Sequence, residues 1–246
     1  MPDQIFPRDP DKAEALGRTD LFSELPEEVL RKLAAHAVTR RLNRGDMLYS
    51  EDEEAAGLFV VAEGELRSVR QSSEGREQVL STPGAGAALA LVPAFNGGKY
   101  FTTVIADTAA VVLCINHDDV RRVCREHPEL LWRVARALAR EIRHSAELIE
   151  SLALRNVEQR VAQYLMTVAH DRAVRSEGGL VFELTQTRPE IASRVGSVRE
   201  VISRSLTHLH QRGLIVLRGA RLVTIPNLDA LRRFSGAPAL TELHTP

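Results

Sequence analysis

The sequence predicts an α+β protein in which an antiparallel β-roll is followed by a long helix and then by a C-terminal winged helix-turn-helix. Short apolar or alternating runs, separated by glycine-containing turns, fill the chain from Val38 to Ile115 and are typical of many short antiparallel strands. From Glu129 to Leu154 apolar residues recur at helical spacing with little interruption. Two short capped helices separated by one glycine follow between Thr187 and Gly213.

The composition is that of an ordinary globular chain. Its 246 residues are 44% apolar, which is ample for the cores of one or two domains. No run approaches the roughly 18 apolar residues of a membrane span, and the N-terminus has neither the basic start nor the apolar core of a signal peptide. Two cysteines cannot form a disulfide framework, which suits a reducing compartment. We therefore expect a cytoplasmic protein that has no membrane partner.

Changes in composition along the chain predict five segments. The first residues are polar and interrupted by prolines, and a helical pattern begins only after them. The expected segments are a flexible N-terminus over residues 1–20, the β-roll over 21–127, the long helix over 128–154, the winged domain over 155–230 and a C-terminal tail over 231–246.

Local chemistry in the segment T-R-P-E-I-A-S-R-V-G-S-V-R-E predicts the two helices of a DNA-binding motif. Thr187 stands three residues before Glu190, and Ser197 three residues before Glu200, so each helix has the sequence of a capping box. Gly196 lies between the two boxes, where a sharp change of backbone direction favours a residue without a side chain. A helix-turn-helix predicts that the function of this chain begins with DNA.

The second helix of this motif has one apolar and one polar face. Apolar residues three or four positions apart are expected to pack on the first helix, and they are Val198, Ile202, Leu206 and Leu209. The other face presents donors and acceptors near the helix N-terminus, where a recognition helix contacts base edges. The predicted DNA-binding residues are Arg199, Glu200, Ser203 and Arg204 on this face, with Thr187, Arg188 and Ser197 near the helix starts.

These residue types suit the edges of G·C pairs. An arginine can donate twice to the O6 and N7 atoms of guanine, a carboxylate can accept from the N4 atom of cytosine, and each good bidentate pair discriminates by about 1–3 kcal/mol. The simpler interpretation is a surface ion pair between Glu200 and Arg204, which are four residues apart and would gain about 0.2–0.5 kcal/mol. We favour DNA contact because both residues belong to a helix framed by Gly196 and Gly213 and followed by a strand pattern.

A hairpin is predicted directly after the motif. The segment L-I-V-L-R-G-A-R-L-V-T-I has β-branched runs on both sides of Gly219-Ala220, so we expect the motif to be winged. The two parts of the chain have opposite net charge. Residues 151–246 hold 13 arginines and 8 acidic residues, a formal charge of +5, whereas residues 1–150 have a formal charge of −6. A positive C-terminal part can neutralise phosphates and release their counterions, which predicts salt-sensitive binding of double-stranded DNA.

Apolar residues recur every seven positions along the predicted long helix. The seam contains Leu131, Leu138, Ser145 and Leu152, with Val134 and Leu148 between them and Ile142 and Ile149 beside them. Such a seam pairs two helices as a coiled coil, although Glu141 and Ser145 interrupt it and a helix crossing its own domain carries a similar stripe. We favour a homodimer, whose two recognition helices would enter successive major grooves of an inverted repeat, about 34–36 Å apart.

The order of these elements resembles that of the CRP/FNR regulators over about residues 20–226, including Gly45-Asp46 and Glu63-Gly64-Glu65-Leu66 in the roll. The most specific stretch runs from Leu184 to Leu206, where the family's R-E-x-x-x-R and E-x-x-S-R patterns both fit without a gap. By this resemblance the bases are read by Arg199, Glu200, Ser203 and Arg204. The resemblance also implies a homodimer, a sensor role with an effector pocket in the cyclic-nucleotide-binding-like roll, and contact with RNA polymerase.

The family's cyclic AMP determinants are replaced in this sequence. Members that bind cyclic AMP carry Gly-Glu-Leu for the ribose and Arg-Ser or Arg-Thr for the cyclic phosphate, whereas Ala88-Leu89 and Tyr100-Phe101-Thr102 stand near those places here. The expected effector pocket therefore consists of Ala88, Leu89, Tyr100, Phe101 and Thr102, and the loss of a fixed countercharge argues against cyclic AMP. Lys99 is expected to be exposed to solvent, since a flexible ammonium is a poor replacement for a planar guanidinium.

Other cofactors of the family receive little or no support. The iron–sulfur branch uses a cysteine cluster, mostly near the N-terminus, but the first cysteine here is Cys114, and we expect it and Cys124 to be small apolar fillers. The apolar wall from Ala85 to Phe95 either packs on the long helix without a ligand or surrounds an apolar effector such as haem. A haem would need an axial ligand, for which His36, His117 and a terminal group are candidates.

Two other function classes follow from the same residues. A winged domain can dock protein rather than DNA, which would make the chain a ligand-responsive adaptor or interaction module, but the +5 charge of the C-terminal part favours DNA. The sequence contains no phosphate loop, no helical pair of metal ligands and no nucleophile elbow with suitable partners. We therefore expect neither an enzyme nor a metal site.

Overall fold

The computed structural model describes residues 11–219 and 221–236 and confirms the α+β class. The chain divides into two compact units, one ending at Ser145 and the other beginning at Ala146. Because this division falls inside the long helix, the N-terminal unit contains the roll and the first part of that helix. No helix in the described part of the chain is long and apolar enough to span a bilayer.

The N-terminal unit is built around two antiparallel four-stranded sheets, with the orders β1-β8-β3-β6 and β2-β7-β4-β5. Its elements are, in chain order, α1 (Lys12–Gly17), α2 (Glu27–His36), β1 (Val38–Leu42), β2 (Met47–Tyr49), β3 (Gly57–Glu63), β4 (Leu66–Gln71), β5 (Glu77–Ser81), β6 (Ala88–Leu89), α3 (Leu91–Asn96), β7 (Thr103–Ala106), β8 (Ala110–Asn116), α4 (His117–Glu126) and α5 (Glu129–Leu154). The predicted roll and the predicted long helix are both confirmed.

Strands β3 and β8 are buried on both faces, because alternate side chains along a strand point to opposite sides of the sheet. Leu58 and Val60 pack in a core with residues of the helices, whereas Phe59 and Val61 pack between the two sheets. Strand β8 repeats this division, with Val111, Leu113 and Ile115 in the first core and Ala110 and Val112 in the second. Burial of both faces explains why these strands read as continuous apolar runs.

The turn between β3 and β4 depends on Gly64. Its φ of +87° lies in the left-handed region that residues with a side chain rarely adopt. A Cβ atom at this position would lie 2.4 Å from the carbonyl oxygen of Ala109. Both the backbone conformation and the close approach of the neighbouring chain therefore require glycine here.

The expectation of a flexible segment over residues 1–20 is wrong for its second half. Residues Lys12–Gly17 form α1, and the Asp11 carboxylate caps this helix by accepting from the amides of Ala13 and Glu14. Leu16 is fully buried in the core shared with the helices of the roll. The burial of Leu16 thus outweighs the polar composition that suggested flexibility. Residues 1–10 lie outside the described residues.

Helix α5 leaves most of its apolar side chains exposed. Among the residues that the structure describes, its buried side chains are Leu130 and Val134. Ile142 and Ile149 are 71% and 66% exposed, and Leu152 of the predicted seam is 38% exposed. A helix that exposes several apolar side chains at this spacing is typical of one that pairs with a second helix.

The C-terminal unit has a single core and one four-stranded antiparallel sheet of order β11-β12-β10-β9. Its elements are α6 (Val157–Arg172), β9 (Val174–Ser176), β10 (Gly179–Glu183), α7 (Arg188–Val195), α8 (Arg199–Gln211), β11 (Val216–Arg218), β12 (Leu222–Ile225) and α9 (Leu228–Ser235). The hairpin of β11 and β12 follows α8 directly, so the predicted wing is confirmed.

The expected start of a tail at residue 231 is wrong, because the folded unit continues through α9. Leu231 is fully buried in the core of this unit, and the Arg212 guanidinium lies over the Phe234 ring at 5.2 Å from its centroid. The apolar pattern of α9 is too short to predict a helix by periodicity. Residues 237–246, the rest of the expected tail, lie outside the described residues.

We expect Gly64→Ala to lower the free energy of unfolding of the roll by about 2–4 kcal/mol, because it adds both left-handed strain and a clash with Ala109. Gly75→Ala is the matched control, since Gly75 has a φ of +77° but an added Cβ would meet no atom within 4 Å, so only the strain of about 1–2 kcal/mol applies. Urea unfolding followed by circular dichroism measures both. Equal losses would contradict the role of close packing at Gly64.

Candidate DNA interface and effector cavity

The first helix of the motif, α7, begins at the predicted capping box. The Thr187 hydroxyl accepts a hydrogen bond from the Glu190 amide at 3.4 Å, and Glu190 Oε2 accepts from the Thr187 amide at 2.6 Å. Two backbone donors that the first helical turn cannot pair are thus satisfied. The structure confirms this box.

The turn between α7 and α8 is held by an arginine from α6. Gly196 adopts the left-handed conformation, with φ of 67° and ψ of 52°. Arg160 Nε donates to the Val195 carbonyl at 2.7 Å, its Nη2 to the Gly196 carbonyl at 3.1 Å and its Nη1 to the Arg155 carbonyl at 2.7 Å. Burial lowers the pKa of Arg160, but a guanidinium stays charged in proteins. The side chain therefore supplies charged donors to the C-terminal end of α7.

Helix α8 begins later than the second predicted capping box requires. Its N-cap is Val198, which makes no side-chain cap hydrogen bond, so the predicted Ser197–Glu200 box is wrong. The left-handed turn instead directs the Ser197 amide to the Ala192 carbonyl at 2.9 Å, which assigns Ser197 to the end of α7. Val198 was expected in the buried stripe of α8 but precedes the helix and is 41% exposed.

The two faces of α8 otherwise match the prediction. Ile202, Leu206 and Leu209 are buried in the core of the C-terminal unit, which also contains Ile191 and Val195 of α7. The opposite face is exposed and carries Arg199, Glu200, Ser203, Arg204 and Thr207. Within the described part of the chain neither the Glu200 nor the Arg204 side chain forms an ion pair, so the simpler interpretation of these two residues is not supported.

The remaining predicted contact residues flank α7. Thr187 at its start is exposed, Arg188 is half-buried, and Ser197 after its end is half-buried. Burial lowers the pKa of Arg188. The wing adds two exposed arginines, Arg218 and Arg221, on either side of the turn between β11 and β12. The sequence predicted the hairpin, but Arg218 and Arg221 were not among the predicted DNA-binding residues, although both stand beside the predicted turn.

Side chains of α6 also anchor both ends of the motif. The Tyr164 hydroxyl donates to Gln186 Oε1 at 3.0 Å, just before α7 begins. Burial raises the pKa of Tyr164 to about 12, so the hydroxyl remains a donor at neutral pH. His208 Nδ1 on α8 lies 2.8 Å from Glu158 Oε1. Both helices of the motif are thus tied to α6, and their exposed face belongs to a supported framework.

A second candidate site is a cavity of about 510 Å³ in the N-terminal unit. All five residues of the predicted effector pocket line this cavity: Ala88, Leu89, Tyr100, Phe101 and Thr102. Tyr49 and Tyr100 stack in its wall, with ring centroids 3.9 Å apart and planes inclined by 19°. The small residues Ala87, Ala88 and Ala90 also line the cavity, so the apolar segment from Ala85 to Phe95 borders an open space.

Helix α5 supplies the part of the cavity wall that sequence reasoning missed. The lining residues on this helix are Ala137, Arg140, Glu141, His144 and Ser145. Arg140 Nη2 lies 3.1 Å from Asp20 Oδ2, and His144 Nε2 donates to the Leu80 carbonyl at 2.9 Å. Burial raises the pKa of Glu141, an effect that the nearby His144 partly offsets. Helical spacing groups these residues, but the sequence does not say which helix face meets the roll.

Comparison with known proteins accounts for both parts of the chain. The model of the cyclic nucleotide-binding domain matches residues 39–127, and that of the Crp-like helix-turn-helix domain matches residues 159–234. A solved structure of a CRP family transcriptional regulator from Thermus thermophilus is 31% identical in sequence, and the match covers 80% of this chain and 97% of that one with a TM-score of 0.65. The chain belongs to the CRP/FNR family of transcriptional regulators.

More distant relatives include both branches of this CRP/FNR family. A CRP-like cAMP-activated global transcriptional regulator from Mycobacterium tuberculosis is 26% identical over 220 residues, which cover 89% of this chain and 98% of the relative. The fumarate and nitrate reduction regulatory protein of Escherichia coli is 26% identical over 195 residues, covering 79% of this chain and 77% of that protein. CRP/FNR membership thus extends over the roll and the winged motif together.

Within the described ranges, the cavity of this CRP/FNR chain lacks a cationic residue on the roll side that could hold an anionic cyclic phosphate, and Arg140, which lines it from α5, is paired with Asp20. Among the described residues, the roll contributes no arginine or lysine to the cavity wall. Lys99 is exposed, as expected, and does not line the cavity. The place of a fixed cationic partner is taken by Tyr100, Phe101 and Thr102, whose side chains are aromatic or neutral.

Haem ligation through the two candidate histidines does not fit either. His36 Nδ1 lies 3.5 Å from Asp119 Oδ2, and His117 Nε2 lies 2.7 Å from the Ala55 carbonyl oxygen, and neither histidine lines the cavity. The cysteines Cys114 and Cys124 are free, and burial raises the pKa of both thiols, in keeping with their expected role as apolar fillers.

We expect Arg160→Ala to destabilise the C-terminal unit by about 2–4 kcal/mol, because the Val195 and Gly196 carbonyls lose their charged donors. Hydrogen exchange of the α7 and α8 amides in the full-length protein measures this loss. Arg175→Ala, at an exposed position on β9, is the control that removes the same charge without these bonds. A comparable loss of protection in both variants would show that Arg160 acts only through net charge.

Proposed function

We propose that this chain is a homodimeric, sequence-specific transcriptional regulator that reads an inverted-repeat operator with Arg199, Glu200, Ser203 and Arg204. The observation that carries the proposal is the exposed polar row on α8, opposite a buried apolar face that fixes its orientation. Arginine forks suit guanine edges and the Glu200 carboxylate suits cytosine. We place the protein in the cytoplasm, where it meets DNA and, as family resemblance suggests, RNA polymerase.

A second set of residues would position the protein on the DNA backbone. Thr187, Arg188 and Ser197 flank the ends of α7, and helix N-termini offer backbone amides and partial positive charge to phosphates. The exposed Arg218 and Arg221 of the wing extend this surface. Because these residues would contact phosphates rather than bases, their loss lowers the affinity for all DNA sequences alike and reduces the dependence of that affinity on salt.

The homodimer would form along α5. Its seam residues include Leu131 and Leu152, which are 48% and 38% exposed, and Ile142 and Ile149 beside the seam are more exposed still. Burying one such side chain fully gains about 1.5–3 kcal/mol, so a few pairs across a coiled coil suffice for association. A two-fold dimer matches the two half-sites of an inverted repeat.

The cavity in the roll is the proposed effector site, formed by Ala88, Leu89, Tyr100, Phe101 and Thr102 together with α5. Glu141 and Ser145 line this cavity and also occupy inner positions of the predicted seam. An effector would therefore touch the helix that joins the two subunits. To shift the balance tenfold towards the DNA-competent dimer, it must bind that state better by about 1.4 kcal/mol.

We expect Arg204→Ala to abolish sequence preference while retaining weak, salt-dependent binding to random duplex, because it removes a base donor and leaves the phosphate contacts in place. Selection from a random duplex library identifies the operator with wild-type protein, and competition against random duplex then measures the specificity of the variant. Arg233→Ala, an exposed arginine on α9, is the matched control and keeps the wild-type preference.

Unchanged discrimination by the Arg204 variant would overturn the assignment of the recognition face. Absence of any retention on random duplex at low salt, even for wild-type protein, would instead favour a protein-docking adaptor. Such an adaptor has less support because the α8 face is exposed, polar and set in a unit of net positive charge.

We expect Leu152→Glu to convert the dimer to a monomer at micromolar concentrations. The substitution places one carboxylate from each protomer in the seam, where the two negative charges repel each other. Leu154→Glu is the matched control, because Leu154 is 78% exposed and lies outside the seam on the same helix. Sedimentation velocity measures both. A Leu152 variant that remains dimeric would refute α5 as the interface.

A further inference from the structure

We propose that the cavity in the roll receives an uncharged aromatic molecule that donates a hydrogen bond to Glu141, and that it discriminates against anions. The inference rests on the proposed role of this cavity as an effector site and specifies the chemical class of the effector. Its evidence is the composition of the wall, the engagement of the two cationic side chains, and the place of one carboxylate.

The wall on the roll side is suited to a flat apolar molecule. Tyr49 and Tyr100 are stacked there, and both are buried, with 6% and 4% exposure. Phe101 is 43% exposed and borders the same space. Aromatic rings bind planar ligands through offset or edge contacts in addition to the apolar area they bury. The small side chains of Ala87 and Ala88 leave room for such a ring system in a cavity of about 510 Å³.

The cationic groups at the cavity are already engaged. Among the described lining residues, the positively charged or basic side chains are Arg140 and His144, both on α5. Arg140 is paired with Asp20, and His144 donates its Nε2 hydrogen to the Leu80 carbonyl. An anionic ligand would compete with Asp20 for this guanidinium and would lie close to the Asp20 carboxylate.

Glu141 lines the cavity and forms no ion pair within the described part of the chain. Ser145, one turn further on, donates its hydroxyl hydrogen to the Glu141 backbone carbonyl at 2.9 Å, so its bond does not occupy the carboxylate. Burial on the side that faces the roll raises the pKa of Glu141, although much of the residue is exposed. An N–H or O–H donor would stabilise the charged form of Glu141, whereas a second negative charge would oppose it.

The test compares two dyes that share one ring system and differ by one charge. N-phenylnaphthylamine is uncharged and has one N–H donor, and anilinonaphthalene sulfonate adds a sulfonate. Both fluoresce when they enter an apolar site, so titration of the full-length protein gives two dissociation constants. We expect the uncharged dye to bind at least about tenfold more tightly, because the sulfonate would be repelled by the Glu141 carboxylate.

Three variants assign the binding to this cavity and to Glu141. Thr82→Trp places a large side chain in the cavity wall and is expected to weaken the binding of both dyes. Glu141→Gln removes the charge and is expected to narrow the ratio of the two constants by about fivefold or more, since amide and sulfonate do not repel. Glu147→Gln, an exposed residue on the same helix that does not line the cavity, is the matched control and leaves the ratio unchanged.

The outcomes separate this inference from the proposed function. If the sulfonate dye binds wild-type protein as tightly as the uncharged dye, or if Glu141→Gln leaves the ratio unchanged, the ligand class is wrong while the cavity remains a binding site. If neither dye binds, or if Thr82→Trp affects neither, the cavity is not an effector site, and the inference falls with that part of the proposed function. DNA binding is measured independently by operator selection.

Discussion

The orientation of the exposed polar face of α8 depends on the guanidinium of Arg160. This one side chain donates to the carbonyls of Arg155, Val195 and Gly196, so it joins the start of α6 to the turn between α7 and α8. Carbonyls at the end of a helix have no partner within the helix, and leaving them unpaired in a half-buried turn would cost free energy. The turn is therefore fixed by a charged donor that comes from a different helix. Burial of the inner face of α8 then determines which of its residues remain outside.

In the N-terminal unit the equivalent constraint is the two-sided burial of β3 and β8. Their alternate side chains complete one core with the helices and another between the sheets. Strands of this kind cannot shift register by one residue without exchanging both cores. The cavity exists beside this rigid framework because the segment that includes Ala87, Ala88 and Ala90 has small side chains. The roll provides the space, whereas Arg140, Glu141 and His144 in the cavity wall come from α5.

Membership of the CRP/FNR family specifies the architecture and the class of function, but the chemistry of each site belongs to the residues present. The recognition row on α8 retains the family's reading pattern, and its residues are exposed. The cavity is lined by Ala88, Leu89, Tyr100, Phe101 and Thr102, the neutral and aromatic residues that replace the cyclic AMP determinants in the sequence. The proposed DNA-reading surface thus keeps the family's residues, whereas the proposed effector cavity does not. Shared use of Glu141 and Ser145 by the cavity and the proposed seam gives a physical route between effector and dimer.

The features that the sequence determined are those with short-range causes. The Thr187 capping box, the left-handed turn at Gly196 and the continuous helix Glu129–Leu154 follow from hydrogen bonds and periodicity within a few residues, and all three were predictable. The Ser197–Glu200 box had the same local signal but did not form, because the preceding turn uses the Ser197 amide to close α7. Here a neighbouring element changed the outcome of a local rule.

Tertiary structure alone decided the features that depend on which elements meet. Helices α1 and α9 are too short for periodicity to predict them, and the burial of Leu16 and Leu231 orders them. Arg160 and the Val195 carbonyl are 35 residues apart, and no local pattern connects them. Likewise, the sequence grouped the roll residues of the cavity but not Glu141, since a helix of mostly exposed residues does not reveal which side faces the roll. Propensity and capping act within one or two turns of chain, whereas burial depends on contacts between distant segments.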